Sequence, residues 1–98
     1  DAVQAVHAAP ALLDYLQDLI DATRTGAWFM QGLSPRAGMA VLRAAKAQAF
    51  LEGRDFVAPD DLRRVLPATA AHRLIPAADS GRTALQQVEA LLRAVQLP

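Results

Sequence analysis

The chain has 98 residues and a mass of 10.5 kDa, which leaves room for one domain and excludes a second active one. Ten Lys and Arg balance ten Asp and Glu, so the basic excess of a counterion-releasing nucleic-acid binder is missing. There is no cysteine, which excludes disulfides and thiolate chemistry, and the isolated His7 and His72 do not by themselves make a usual zinc site.

Apolar residues make up 53% of the chain, ample for a core, since a chain of this size buries roughly 60–70% of its unfolded surface. Unbroken apolar runs stop at four or five residues, too few for a membrane span or a signal-peptide core. The sequence reads as cytosolic, and as a fragment that begins at an unnatural Asp1. Its 22 alanines and 14 leucines outweigh 13 Val, Ile and Thr together. Ala and Leu lose least on entering a helix, so an all-α domain is expected. Side chains this small let helix axes approach closely, which favours a compact four-helix bundle over a long coiled coil.

Gly and Pro punctuation predicts helices over about 10–25, 34–52, 59–74 and 83–96. Residues 1–9 are weakly patterned. The first helix places Leu12, Tyr15, Leu16, Leu19 and Ile20 on one face, with Asp14, Gln17, Asp18 and Asp21 opposite; Gly26 is its natural stop. Trp28, Phe29 and Met30 follow as an apolar cluster that either folds back over the bundle or docks on another domain. The second helix opens with Ser34 as N-cap and Pro35 at the first helical position, then runs through Ala37, Val41, Ala44, Ala45 and Leu51 to Gly53; it should be central. An extended link, Arg54 to Val57, leads to the third, where Pro59, Asp60 and Asp61 form a first turn suited to the positive end of the helix dipole. Leu62, Val65, Leu66 and Thr69 make its inward stripe, and Pro67 is expected to kink it. Thr83 and Gln86 have the spacing of a capping box for the fourth helix, which should bury Leu85, Val88, Leu92 and Val95.

Catalytic chemistry is sparse. Gly81-Arg82-Thr83 resembles the end of a phosphate-cradling loop, but Arg replaces Lys and Pro76 stands where the loop's first glycine belongs. No apolar strand ends in an acidic pair that would hold magnesium, so the chain should not hydrolyse ATP alone. Asp14, Asp18 and Asp21 fall on the face opposite the leucines and read as a solvated surface rather than a cation site. Ser34 and His72 lack a third orienting group, which leaves Ser34 as a cap rather than a nucleophile.

The segment Gly32-Leu33-Ser34-Pro35-Arg36-Ala37 carries more. A glycine permits close approach, Ser34 and Pro35 start a helix, and the Arg36 guanidinium emerges from a first turn whose free donors already favour an anion. That combination suits a phosphate.

Four blocks, in this order and spacing, are Leu13-Asp14-Tyr15-Leu16 with Ala22-Thr23-Arg24, Gly32 to Ala37, Gly53-Arg54-Asp55-Phe56-Val57 with Pro59-Asp60-Asp61, and His72-Arg73-Leu74. Together they resemble the C-terminal helical lid of the MoxR family of AAA+ ATPases along essentially the whole chain. The resemblance implies that the lid follows an α/β nucleotide-binding core and that Arg36 matches the sensor 2 arginine. With Ser34 and Pro35 at the same turn, Arg36 would then meet the phosphates of ATP held with Mg in the full-length protein. It also implies a ring of subunits, six by expectation, and chaperone-like work, often beside partners that carry a von Willebrand factor A domain; nucleic acid and membrane are not expected partners. The fragment alone should be a monomer that binds no nucleotide tightly. Ala58 departs from the family's usual Thr or Ser cap, at a cost of about 1 kcal/mol that Asp60 and Asp61 partly offset. A stand-alone helical interaction module, such as an adaptor or a DNA-binding bundle, is the competing reading; neutral charge and the lack of a basic recognition helix count against its DNA version.

Overall fold

The computed structural model describes residues 2–3, 5–25, 28–70, 74–77 and 80–97. The chain runs α1 (Pro10–Thr25), β1 (Phe29–Gln31), α2 (Pro35–Leu51), α3 (Pro59–Ala70), β2 (Ile75–Pro76) and α4 (Ala84–Ala94). Among the described residues it is an all-α bundle of four helices with one two-stranded ribbon. Among the described residues, no helix is long and apolar enough to cross a membrane.

The inward face of α1 is the predicted one: Leu12, Tyr15, Leu16, Leu19 and Ile20 are all buried, and the acidic face opposite is exposed. Helix α2 packs against both α1 and α3. Its buried residues are small, Ala37, Gly38, Val41, Ala45 and Ala49, and their size allows close approach. A Cβ on Gly38 would run into the Cδ1 of Ile20 on α1. Ala44 is only half-buried and Leu51 is 80% exposed, because the i, i+4 row through Val41, Ala45 and Ala49 points the other way.

Helix α2 ends on Gly53, whose positive φ of 77° only glycine adopts without strain. The Gly53 N–H donates to the Phe50 carbonyl and the Arg54 N–H to the Ala49 carbonyl, 3.0 and 2.9 Å, the paired bonds of a Schellman cap. The link that follows pairs with the N-terminal segment: His7 N–H donates to the Asp55 carbonyl and Val57 N–H to the His7 carbonyl, both 2.8 Å. Val6 is buried beneath this bridge, so the weakly patterned start of the chain is part of the fold.

Helix α3 buries Leu62 and Leu66, with Val65 and Thr69 half-buried, and continues through Pro67 to Ala70. The helix predicted to reach residue 74 is shorter, since Leu74 is buried but not helical and begins the return toward β2. Helix α4 starts on the predicted capping box, with Thr83 Oγ1 accepting from Gln86 N–H at 3.1 Å and Gln86 Oε1 accepting from Thr83 N–H at 3.0 Å. Its buried face is Gln87, Val88, Ala90, Leu91 and Leu92. Leu85 is therefore a correction: it lies in the first turn on the outer side and is 49% exposed.

The ribbon is the element that periodicity did not announce. Strand β1 pairs antiparallel with β2, Phe29 opposite Pro76 and Gln31 opposite Ile75, with a register irregularity between. Phe29 enters the core, Trp28 packs partly buried against it, and Met30 is left 70% exposed. The Trp28 carbonyl accepts from Ala77 N–H at 3.1 Å and from the side-chain amide of buried Gln87 at 2.7 Å, which fastens the ribbon to α4. Gly26, His72 and Arg73, singled out from the sequence, lie outside the described residues.

Candidate phosphate site at the start of α2

Buried Thr23 fixes the segment that leads into α2. Its hydroxyl donates to the Ile20 carbonyl at 2.6 Å and accepts from Leu33 N–H at 3.0 Å. Gly32 lies against the same turn of α1, where an added Cβ would press into the Thr23 carbonyl, with the carbonyl carbon at 2.7 Å. The close approach that glycine permits here is thus between two backbone segments of the same chain. Leu33 is buried behind it, so the loop is clamped before the helix begins.

Ser34 has extended dihedrals, φ −77° and ψ 162°, and its Oγ accepts from Ala37 N–H at 3.1 Å. The Ser34 carbonyl accepts from Gly38 N–H at 3.0 Å. Pro35 has no N–H, so the Arg36 N–H is the first-turn donor left without an intrachain partner among the described residues. Ser34 and Pro35 set the direction of the helix, and Arg36 brings to this turn a donor and a cation that are unpaired among the described residues.

The Arg36 side chain is exposed and, among the described residues, makes no hydrogen bond or ion pair. It borders an open depression of about 470 Å³ walled by Gln31, Gly32, Leu33 and Ser34 on one side and by α2 on the other. The α2 wall contains a residue the sequence reading did not single out. Arg43, seven positions after Arg36, lines the same depression and is likewise exposed and unpaired. The signal that could have found it is the i, i+4, i+7 row Arg36, Ala40, Arg43, which faces one way on any helix. Chemically the site offers two guanidinium groups and one backbone donor. Such groups hold an anion and supply no acid, base or nucleophile at neutral pH.

The Gly53-Arg54-Asp55 block, by contrast, is structural. The Arg54 guanidinium donates two hydrogen bonds to the Asp61 carboxylate, both 2.7 Å, and a third to Glu52, which also pairs with Arg64 at 3.2 Å. Asp61 is 2% exposed and accepts as well from Ala58 N–H at 2.8 Å. The helix whose cap is the inert Ala58 is therefore capped by the acid three residues on, reaching back as the second half of a capping box. The Arg54 guanidinium, helped by the Ala58 N–H and opposed by burial, holds the Asp61 carboxyl below its ordinary range. Arg54 also lies 5.7 Å from the centre of the Phe56 ring, within cation–π range.

The model of the AAA lid domain family matches residues 21–94, from the last turns of α1 to the end of α4. The chain belongs to the AAA lid domain family. It is 34% identical over 98% of its length to the uncharacterised protein YeaC of Bacillus subtilis, and 41% identical over 81% of its length to protein MoxR of Paracoccus denitrificans. Chaperone MoxR1 of Mycobacterium tuberculosis is 36% identical over 66% of the chain. A crystal structure of a protein from Cytophaga hutchinsonii assigned as an ATPase superposes with a TM-score of 0.89 at 29% identity, covering 99% of this chain and 33% of that one. The resemblance to the lid of MoxR-family AAA+ ATPases is thus shared by sequence relatives and by fold. The chain spans between a fifth and a third of the length of these relatives, 31% of YeaC, 28% of the Paracoccus MoxR and 20% of MoxR1.

Proposed function

We propose that this lid senses nucleotide in a longer MoxR-type AAA+ ATPase, and that Arg36 is its sensor 2 arginine, meeting the phosphates of ATP bound with Mg on an α/β core of the same chain. The observation that carries the reading is the state of Arg36: an exposed guanidinium, unpaired among the described residues, at the mouth of an open depression, on a helix start that Ser34 caps without help from the Arg36 side chain. Ser34 and Pro35 serve that site by aiming the first turn. The clamp of Gly32 and Leu33 on Thr23 would turn any pull on Arg36 into movement of α1 and α2 together, coupling nucleotide state to lid angle.

The same reading gives the full-length protein ATP hydrolysis, assembly into a ring of subunits with six as the expected number, and a chaperone-like cytoplasmic role. Proteins with a von Willebrand factor A domain are the partners it points to. In the full-length protein, Arg36→Ala should lower ATP turnover at least about tenfold, the usual scale for removing a cation from charge that builds on transferring phosphates. Steady-state hydrolysis at saturating ATP is the measurement, and turnover equal to wild type would contradict the assignment. The lid alone should bind ATP barely. One Arg contributes about 1–3 kcal/mol, against the roughly 8 kcal/mol of a micromolar site.

A further inference from the structure

Arg36 shares its depression with a second cation. Arg36, Ala40 and Arg43 lie on one face of α2 and all line the cavity. A rise of 1.5 Å per residue separates the two arginines by about 10.5 Å along the axis, a gap that two long side chains close onto a single extended anion. Ala40 between them is too short to fill the space.

Among the described residues both guanidinium groups are unpaired, whereas four others are engaged: Arg54 by Asp61, Arg63 by the Leu92 carbonyl, Arg64 by Glu52 and Arg82 by Gln87. Among the described residues, no acidic side chain lines the depression. Two like charges face one concavity, so an entering anion is attracted by both. At about 470 Å³ the cavity has the size of a small-ligand site. Two guanidinium groups spaced along one wall suit an anion that extends between them, as a phosphate chain does.

We propose that Arg43 is a second phosphate-contacting residue, so that the polyphosphate of one nucleotide is held at two points along α2. The inference rests on the reading of Arg36 given above and extends it to ligand choice. A single phosphate engages one guanidinium at a time, whereas a triphosphate engages both, so Arg43 favours ATP over AMP.

The test is a titration of the full-length protein with fluorescently labelled ATP and AMP, comparing wild type with Arg36→Ala, Arg43→Ala and Arg43→Lys, each checked for an unchanged melting temperature. Arg43→Ala should weaken ATP binding about fivefold to tenfold and leave AMP binding as it was, with Arg43→Lys recovering part of the loss. Unchanged ATP binding by Arg43→Ala would overturn the inference. So would an equal loss for ATP and AMP, the result expected if Arg43 instead pairs with a carboxylate of the core domain and positions the lid. The two readings fail separately. Normal ATP binding and turnover in Arg36→Ala removes the sensor role, whereas loss in Arg36→Ala beside normal binding in Arg43→Ala removes only the second contact.

Discussion

The two ends of α2 use arginine in opposite ways. At the C-terminal end, Arg54 is locked between buried Asp61 and Glu52, and the pairing joins the end of α2 to the start of α3. In the N-terminal half, Arg36 in the first turn and Arg43 at mid-helix are exposed and pair with nothing among the described residues. A charge already satisfied inside the fold has no free energy left for a ligand, while a charge the fold leaves unpaired costs little to present and gains on meeting an anion. One helix thus carries structure at one end and, on the proposed reading, recognition at the other.

The contrast is most easily broken at the structural end. Asp61→Ala removes the acceptor of two Arg54 bonds and of the Ala58 N–H, leaving a half-buried guanidinium without its main partner. Losses near 3 kcal/mol are typical for such a break. For a domain of this size, that is a fall of more than about 10 °C in melting temperature, measurable by circular dichroism.

Gly32→Ala sharpens the comparison by showing that the recognition end also has a fixed part. The new Cβ meets a main-chain carbonyl of α1, which cannot rotate away as a side chain can, so about 2 kcal/mol of stability should be lost. Gly38→Ala presses on the tip of the Ile20 side chain instead. A flexible end can give, and its cost should be nearer 1 kcal/mol. Chemical denaturation of the two variants side by side checks the order.

Acid separates the ends without mutation. The Asp61 carboxyl is held below its ordinary value of 3.8, chiefly by Arg54. The folded state therefore binds this proton less readily than the unfolded chain, and its contribution is complete well above pH 3.8 and is lost as pH falls below that value toward the folded one. Exposed Glu52, hydrogen-bonded by Gln48 and Arg54, is lowered in the same direction. The melting temperature should fall between pH 5 and pH 3, more steeply in wild type than in Asp61→Asn. Equal slopes would remove Asp61 from the account.

Much of this was legible in the sequence. The α1 stripe follows from i, i+3, i+4 spacing, and Ser34-Pro35 and Thr83 with Gln86 mark their helix starts by side-chain chemistry that acts within four residues. Features that depend on distant partners were not. Strands of three and two residues, one of them ending in Pro76, are too short for alternation to register. Asp61 looked like a solvated helix-start acid because its partner, Arg54, sits across a turn. Leu85 looked buried because apolar spacing alone did not distinguish the outer first turn of α4 from its inner face. Arg36 was visible through its block of neighbours, and Arg43 only once the loop before α2 supplied the other wall of the depression.

The division of labour along α2 is tested most directly by melting the domain with Arg36→Ala and with Arg54→Ala under identical conditions. Alanine is a good helix former and leaves the Ser34 cap intact, so Arg36→Ala should stay within about 0.5 kcal/mol of wild type. Arg54→Ala strands the buried Asp61 carboxylate and should melt at least about 10 °C lower. Equal losses in the two variants would make Arg36 a structural residue and contradict the claim that this end of the helix is reserved for a ligand.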